Sequence, residues 1–99
     1  MRVTKKEKNG ITIVSISGRL ETGSAAFFTS EINRVIAEAQ EIILDFEQLE
    51  YISSAGLQVL LLALQSCKVK NIKMRIINAN EVVKEVFTST GFNKLIEVK

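Results

Sequence analysis

Apolar and polar positions along this chain change their period several times, and each change marks an element. Val3–Lys8 and Ile11–Ser17 flank Asn9-Gly10, the dipeptide that best tolerates the positive φ angles of a two-residue hairpin turn. Two antiparallel strands are therefore predicted. Ile11 and Ile13 share one face of the second strand while Val14 and Ile16 share the other. That strand is expected to be covered on both sides, with the first strand at the sheet edge. Gly18–Gly23 reads as a connecting loop, with Ser24 as the N-cap of a helix. Phe28, Ile32, Val35, Ile36 and Ala39 then recur at helical spacing, with Glu31, Arg34 and Glu38 on the outer face.

Ile42-Ile43-Leu44 is a continuous aliphatic run ending in Asp45-Phe46, the mark of a central parallel strand covered on both faces. A short acidic loop is predicted after it. Leu57, Leu60, Leu61 and Leu64 give a second helix, closed by Asn71. Ile72, Met74 and Ile76 alternate with Lys73 and Arg75 as a strand. Val82, Val83, Val86 and Phe87 mark a third helix stopped by Gly91, and Leu95, Ile96 and Val98 form a last strand. The order ββαβαβαβ is that of an α/β domain with a mostly parallel sheet, an N-terminal antiparallel hairpin and right-handed crossovers. At 99 residues it is expected to be one domain, 1–99.

Composition narrows the chemistry. Apolar residues make up 46% of the chain, enough for a core and too many for a disordered segment. Thirteen Lys and Arg against eleven Asp and Glu leave a formal charge of +2, too small an imbalance to argue a nucleic-acid partner. Histidine is absent and Cys67 is the one cysteine. A zinc site lacks its ligands, a serine or cysteine protease lacks its imidazole, and an internal disulfide is impossible. No nucleophile elbow or phosphate-binding loop occurs, which argues against a hydrolase or a nucleotide-binding site. Val59–Leu64 is the longest apolar run, far too short for a membrane span. No apolar stretch of signal-peptide length follows the charged start Met1–Lys8. A soluble cytoplasmic protein needing no metal or cofactor is the expectation.

The informative stretch is Ile42 to Leu57. A buried strand, an acidic loop and two adjacent serines precede a leucine-rich helix. Ligands of open α/β sheets bind beyond the carboxyl ends of the strands, and a helix N-terminus favours an anion. A serine there can cap the helix or hold a phosphate, and two serines allow both. Asp45 is expected to accept hydrogen bonds from amides of the loop ahead of Ser54, and Gly56 to be crowded by a neighbour. Four other features are read blandly: Cys67 as a buried thiol, Thr88-Ser89-Thr90 as a fraying helix end, Lys68, Lys70 and Lys73 as a solvated face, and Phe27 as partly exposed.

Tyr51-Ile52-Ser53-Ser54-Ala55-Gly56-Leu57 resembles the signature of the STAS family, named for sulphate transporters and anti-sigma factor antagonists. In the bacterial antagonists a strand and short loop lead to Asp-Ser-Ser/Thr-Gly-Leu or to Ser-Ser-Ala-Gly-Leu. The opening hairpin, Gly18-Arg19-Leu20-Glu21 and Val86-Phe87…Gly91-Phe92 extend the resemblance over essentially the whole chain. It implies a non-enzymatic protein-binding switch that is a monomer when free. Its partners would be an anti-sigma factor serine kinase of the GHKL type and a metal-dependent serine phosphatase. Aligned on Gly-Leu, the phosphorylated residue is Ser54. Ser53 holds the place of the family aspartate and is the alternative acceptor, and Ala55 stands where the second hydroxyl would be. Glu21 corresponds to a family loop acid. Glu21, Thr22, Ser53, Ser54, Ala55, Gly56 and Leu57 are the implied partner contacts. The same fold also implies an alternative, a non-phosphorylated scaffold subunit of a sensory or transporter complex.

Overall fold

Asn9 and Gly10 take φ of 53° and 82°, the left-handed pair that a tight hairpin turn requires. They join β1 (Arg2–Lys8) to β2 (Ile11–Leu20) in the computed structural model, which describes all residues 1–99. The chain continues through α1 (Thr22–Glu38), β3 (Glu41–Asp45), β4 (Leu49–Ile52) and α2 (Ser54–Val69). It ends with β5 (Lys73–Ile77), α3 (Glu81–Thr90), a 3₁₀ turn at Phe92–Lys94 and β6 (Glu97–Val98). The sheet runs β1-β2-β3-β5-β6, antiparallel at the hairpin and parallel elsewhere.

Strand β2 organises the sheet because it outruns β3. Ile11–Ser15 pair with Glu41–Asp45, and from Gly18 onward the strand pairs instead with β4, across a bulge at Gly18/Arg19 that sets Leu20 beside Ile52. This corrects two expectations. The acidic loop after Asp45 contains a strand, so the order is ββαββαβαβ. Gly18–Leu20 are strand rather than loop, so α1 starts earlier than Ser24 and Glu21 is its N-cap. Ser24 sits inside the first turn, where its Oγ accepts from the Glu21 amide at 3.1 Å and donates to the Arg19 carbonyl at 2.7 Å.

One face of the sheet is sealed. Val14, Ile16, Ile42, Leu44, Met74 and Ile76 are buried against Phe28 and Ile32 of α1, Leu60 and Leu64 of α2, and Val83 and Phe87 of α3 in a single core cluster. The other face departs from the expected double cover. Lys6, Ile13, Ile43 and Arg75 lie in register across it. Ile43 is buried there, but Ile11 and Ile13 stay half-exposed and Arg75 pairs with Glu41 at 3.7 Å. A strand needs only one sealed face when its other face carries long basic side chains whose stems lie over the apolar ones.

Smaller departures follow the same logic. Leu57 and Leu61 are half-buried rather than core, and Leu95 is exposed because the 3₁₀ turn closes on it, leaving β6 with Glu97 and Val98. Glu31 is half-buried and pairs with Lys5 at 3.4 Å. Lys70 donates to the Ile36 carbonyl near the end of α1 at 3.3 Å, where a cation complements the helix dipole. Gly91 ends α3 in the left-handed conformation, φ 80°. Cys67 is buried with its Sγ 3.9 Å from the Met74 sulfur. Burial pushes its thiol pKa up against the opposing pull of Lys70, so it is an inert core thiol.

Candidate functional site

Parallel strands that end together deliver their helices together. Leu20 pairs with Ile52 and the Ser53 amide donates to the Leu20 carbonyl at 2.9 Å. One residue further on, Glu21 caps α1 and Ser53 caps α2. Two helix N-termini therefore open at the same end of the sheet, with their positive dipole ends adjacent. Glu21, Thr22, Ser53, Ser54, Ala55, Gly56 and Leu57 are thereby gathered at the carboxyl end of β2 and β4.

The two serines divide the work. Ser53 is half-buried and its Oγ accepts from the Gly56 amide at 3.3 Å, the N-cap bond of α2. Ser54 is exposed at the first helical position. It borders a shallow groove shared with Leu57, Gln58 and Leu61 of α2 and with Thr90, Phe92 and Leu95 from the end of α3. Ser53→Ala is expected to lower stability by about 1 kcal/mol, the usual weight of an N-cap, with Ser54 left in place; urea denaturation followed by circular dichroism measures it.

Gly56 is crowded as expected. A Cβ built on it would lie 2.5 Å from the Leu20 carbonyl oxygen, 2.8 Å from Leu20 Cγ and 3.0 Å from Ile52 Cγ1. The first turn of α2 thus rests directly on the ends of β2 and β4. Asp45 is half-buried, and its Oδ1 accepts from the Glu47 amide at 3.1 Å, which shapes the turn into β4 as expected. The same oxygen also accepts from Asn78 Nδ2 at 3.1 Å.

Four residues of this region, Arg19, Tyr51, Asn78 and Asn80, make contacts that the sequence did not foretell. Arg19 Nε donates to Glu21 Oε2 at 2.8 Å while its guanidinium lies 4.4 Å from the centre of the Tyr51 ring, a cation–π contact. Asn78 and Asn80 reach from the β5–α3 connection to Asp45 and to β4. Asn80 alone left a local trace, since an Asn directly before Glu81 is a helix-cap pattern. Glu47 and Glu50 are exposed on the turn and strand leading to the serines.

A family model for the STAS domain matches residues 2–99. The chain belongs to the STAS domain family. Its relatives include BtrV of Bordetella bronchiseptica, named as an anti-sigma factor antagonist, 27% identical over 99 residues that cover 99% of this chain and 85% of that protein. Among solved structures, one described as an anti-sigma factor antagonist from Thermotoga maritima superposes with a TM-score of 0.91 at 19% identity, covering 97% of this chain and 84% of that one. The phosphorylated form of the Bacillus cell fate determinant SpoIIAA superposes with a TM-score of 0.75 at 16% identity, covering 99% and 91%. These likenesses establish the STAS fold, its hairpin and its parallel strands. No helix of this STAS domain is long and apolar enough to cross a membrane.

Proposed function

We propose that this STAS domain is an anti-sigma factor antagonist switched by phosphorylation of Ser54. The observation that carries the reading is the division between the serines: Ser53 is spent on the helix cap, and Ser54 stands exposed at the head of α2. The likeness to BtrV, itself named as an anti-sigma factor antagonist, supports the partner class, and the fold shared with the solved phosphorylated SpoIIAA supports the type of switch. Unmodified, the domain binds an anti-sigma factor that is also a serine kinase and so frees the sigma factor. Glu21, Thr22 and Ser53 to Leu57 form the contact.

In the kinase reaction Ser54 Oγ bonds to the γ-phosphorus of ATP, the bond to the bridging oxygen of ADP breaks, and the hydroxyl proton passes to a base of the kinase. The product carries roughly −1.5 to −2 charges at the centre of the contact. Glu21 and Glu50 line one depression beside the start of α1, and a phosphate held at a contact built around a neutral hydroxyl must be desolvated to stay bound. Release follows without refolding. A metal-dependent phosphatase then hydrolyses the ester and resets the switch. The domain itself supplies no catalytic group.

The test combines calorimetric titration against the cognate anti-sigma kinase with mass spectrometry after incubation with ATP. Ser54→Ala is expected to bind like wild type and take no phosphate. Ser54→Asp is expected to bind roughly tenfold or more weakly, since like charge at an interface costs several kcal/mol when fully developed. Ser53→Ala still takes phosphate. Incorporation into Ser54→Ala but not into Ser53→Ala would move the acceptor to Ser53. No incorporation into wild type would sink the switch and leave a scaffold role.

A further inference from the structure

The strand that delivers Ser54 is flanked by another strand on one side only. β4 pairs with β2 through Leu49, Tyr51 and Ile52, and no strand lies along its other edge. On that edge a side chain takes the place of a neighbouring strand. Asn80 Nδ2 donates to the Leu49 carbonyl at 3.0 Å and lies 3.5 Å from the Glu50 carbonyl. The same carboxamide accepts through Oδ1 from the Val83 amide at 2.8 Å and caps α3. One planar group therefore joins the first turn of α3 to the strand that ends at Ser53. The far end of α3 contributes Thr90, and the turn beyond it Phe92 and Leu95, to the groove that Ser54 borders.

We propose that Asn80 is a positioning residue for Ser54, a strap that fixes the acceptor strand to the helix forming the opposite wall of its groove. The inference rests on the reading of Ser54 as the acceptor. Capping alone does not require asparagine. Serine and aspartate cap a helix as well, and either would satisfy the Val83 amide. A carboxamide sets its donor and its acceptor on two separate atoms of one short planar side chain, so it can reach the Leu49 carbonyl and the Val83 amide at once, whereas a hydroxyl has both functions on a single oxygen. Aspartate at this position keeps the cap and sets a carboxylate against the Leu49 and Glu50 carbonyl oxygens. Serine keeps the cap and has no amide to reach them. The two substitutions separate the strap from the cap.

The experiment uses the full chain as wild type, Asn80→Asp and Asn80→Ser, each first checked as folded by circular dichroism. Amide hydrogen exchange is read by NMR on the unphosphorylated proteins, and the rate of phosphate transfer from ATP is read with the anti-sigma kinase that modifies wild type. The expected result is protection of α3 held within about twofold while amides of Tyr51 to Gly56 exchange roughly five- to tenfold faster, the weight of one net hydrogen bond. Phosphate transfer to Ser54 slows in the same variants. Unchanged exchange at Tyr51 to Gly56 overturns the strap. A uniform loss of protection over α3 and β4 alike makes Asn80 a cap and nothing more, and overturns it too. Faster local exchange with an unchanged transfer rate overturns the positioning role. A wild-type chain that takes no phosphate fails the acceptor reading and with it the positioning of an acceptor, whereas the exchange measurement still decides whether the strap exists.

Discussion

Gly56→Ala is expected to lower the unfolding free energy by about 2 kcal/mol and the melting temperature by roughly 8–16 °C. Two effects compete. Alanine in place of glycine inside a helix contributes about 1 kcal/mol of stability. Overpacking costs about 3 kcal/mol when the neighbour cannot yield. The new methyl would lie 2.5 Å from the Leu20 carbonyl oxygen, which is backbone and is held by the Ser53 amide. Overlap wins. Relief requires α2 to lift from the strand ends, and Ser53 and Ser54 lift with it. Thermal denaturation of the two proteins decides the matter: a variant melting at or above wild type would show that the helix gives way without cost.

The larger loss is expected from Phe87→Ala, about 3–5 kcal/mol for a fully buried phenylalanine. Phe87 is 0% exposed. Its ring centre lies 5.0 Å from that of Phe92 and 6.4 Å from that of Phe46. It therefore joins the end of β3 to the turn that follows α3. The cavity left by its removal cannot collapse without moving one of these rings. Urea denaturation should show a lower midpoint with an unchanged slope, the signature of lost stability rather than an altered unfolded state. A midpoint shift equivalent to less than about 1 kcal/mol would contradict this account of the aromatic row.

Both effects lie on features of unequal legibility in the sequence. The hairpin was readable because Asn9-Gly10 leaves the backbone few alternatives, and the helices because Phe28, Ile32, Val35 and Ile36 or Leu60 and Leu64 repeat over several turns. Strand β4 was not. Its buried residues, Leu49 and Ile52, stand three apart, the spacing of a helix rather than the alternation of a strand. It is a strand because Gly18–Leu20 of β2 lie beyond the reach of β3 and need a partner, a fact of tertiary structure. The same extension of β2 explains why Ser24, a good cap by composition, lost that place to Glu21. The propensity was real and the boundary was set elsewhere.

At the site, the serine pair and Gly56 were legible because caps and close approaches are local. The pairing of Arg19 with Tyr51, and of Asn78 and Asn80 with the β3–β4 region, was not. Each joins segments brought together only by the order of strands in the sheet. No periodicity records such contacts. Asn80 could be suspected as a cap from its neighbours, but its second hydrogen bond goes to a strand whose existence was itself hidden.

Strand β1 closes one margin of the sheet, and of its residues only Val3 is even half-buried. Lys5, Lys6 and Lys8 follow one another along this rim. A strand left open on one side offers unpaired amides and carbonyls to any similar strand that drifts alongside. Here a second copy arriving parallel and in register would set Arg2, Lys6 and Lys8 against their own equivalents on one face of the new ladder, where opposed like charges are destabilising. The rim is thus protected against that polymerisation by its charge rather than by a cover. Its backbone can remain open to water without becoming the seed of a fibril.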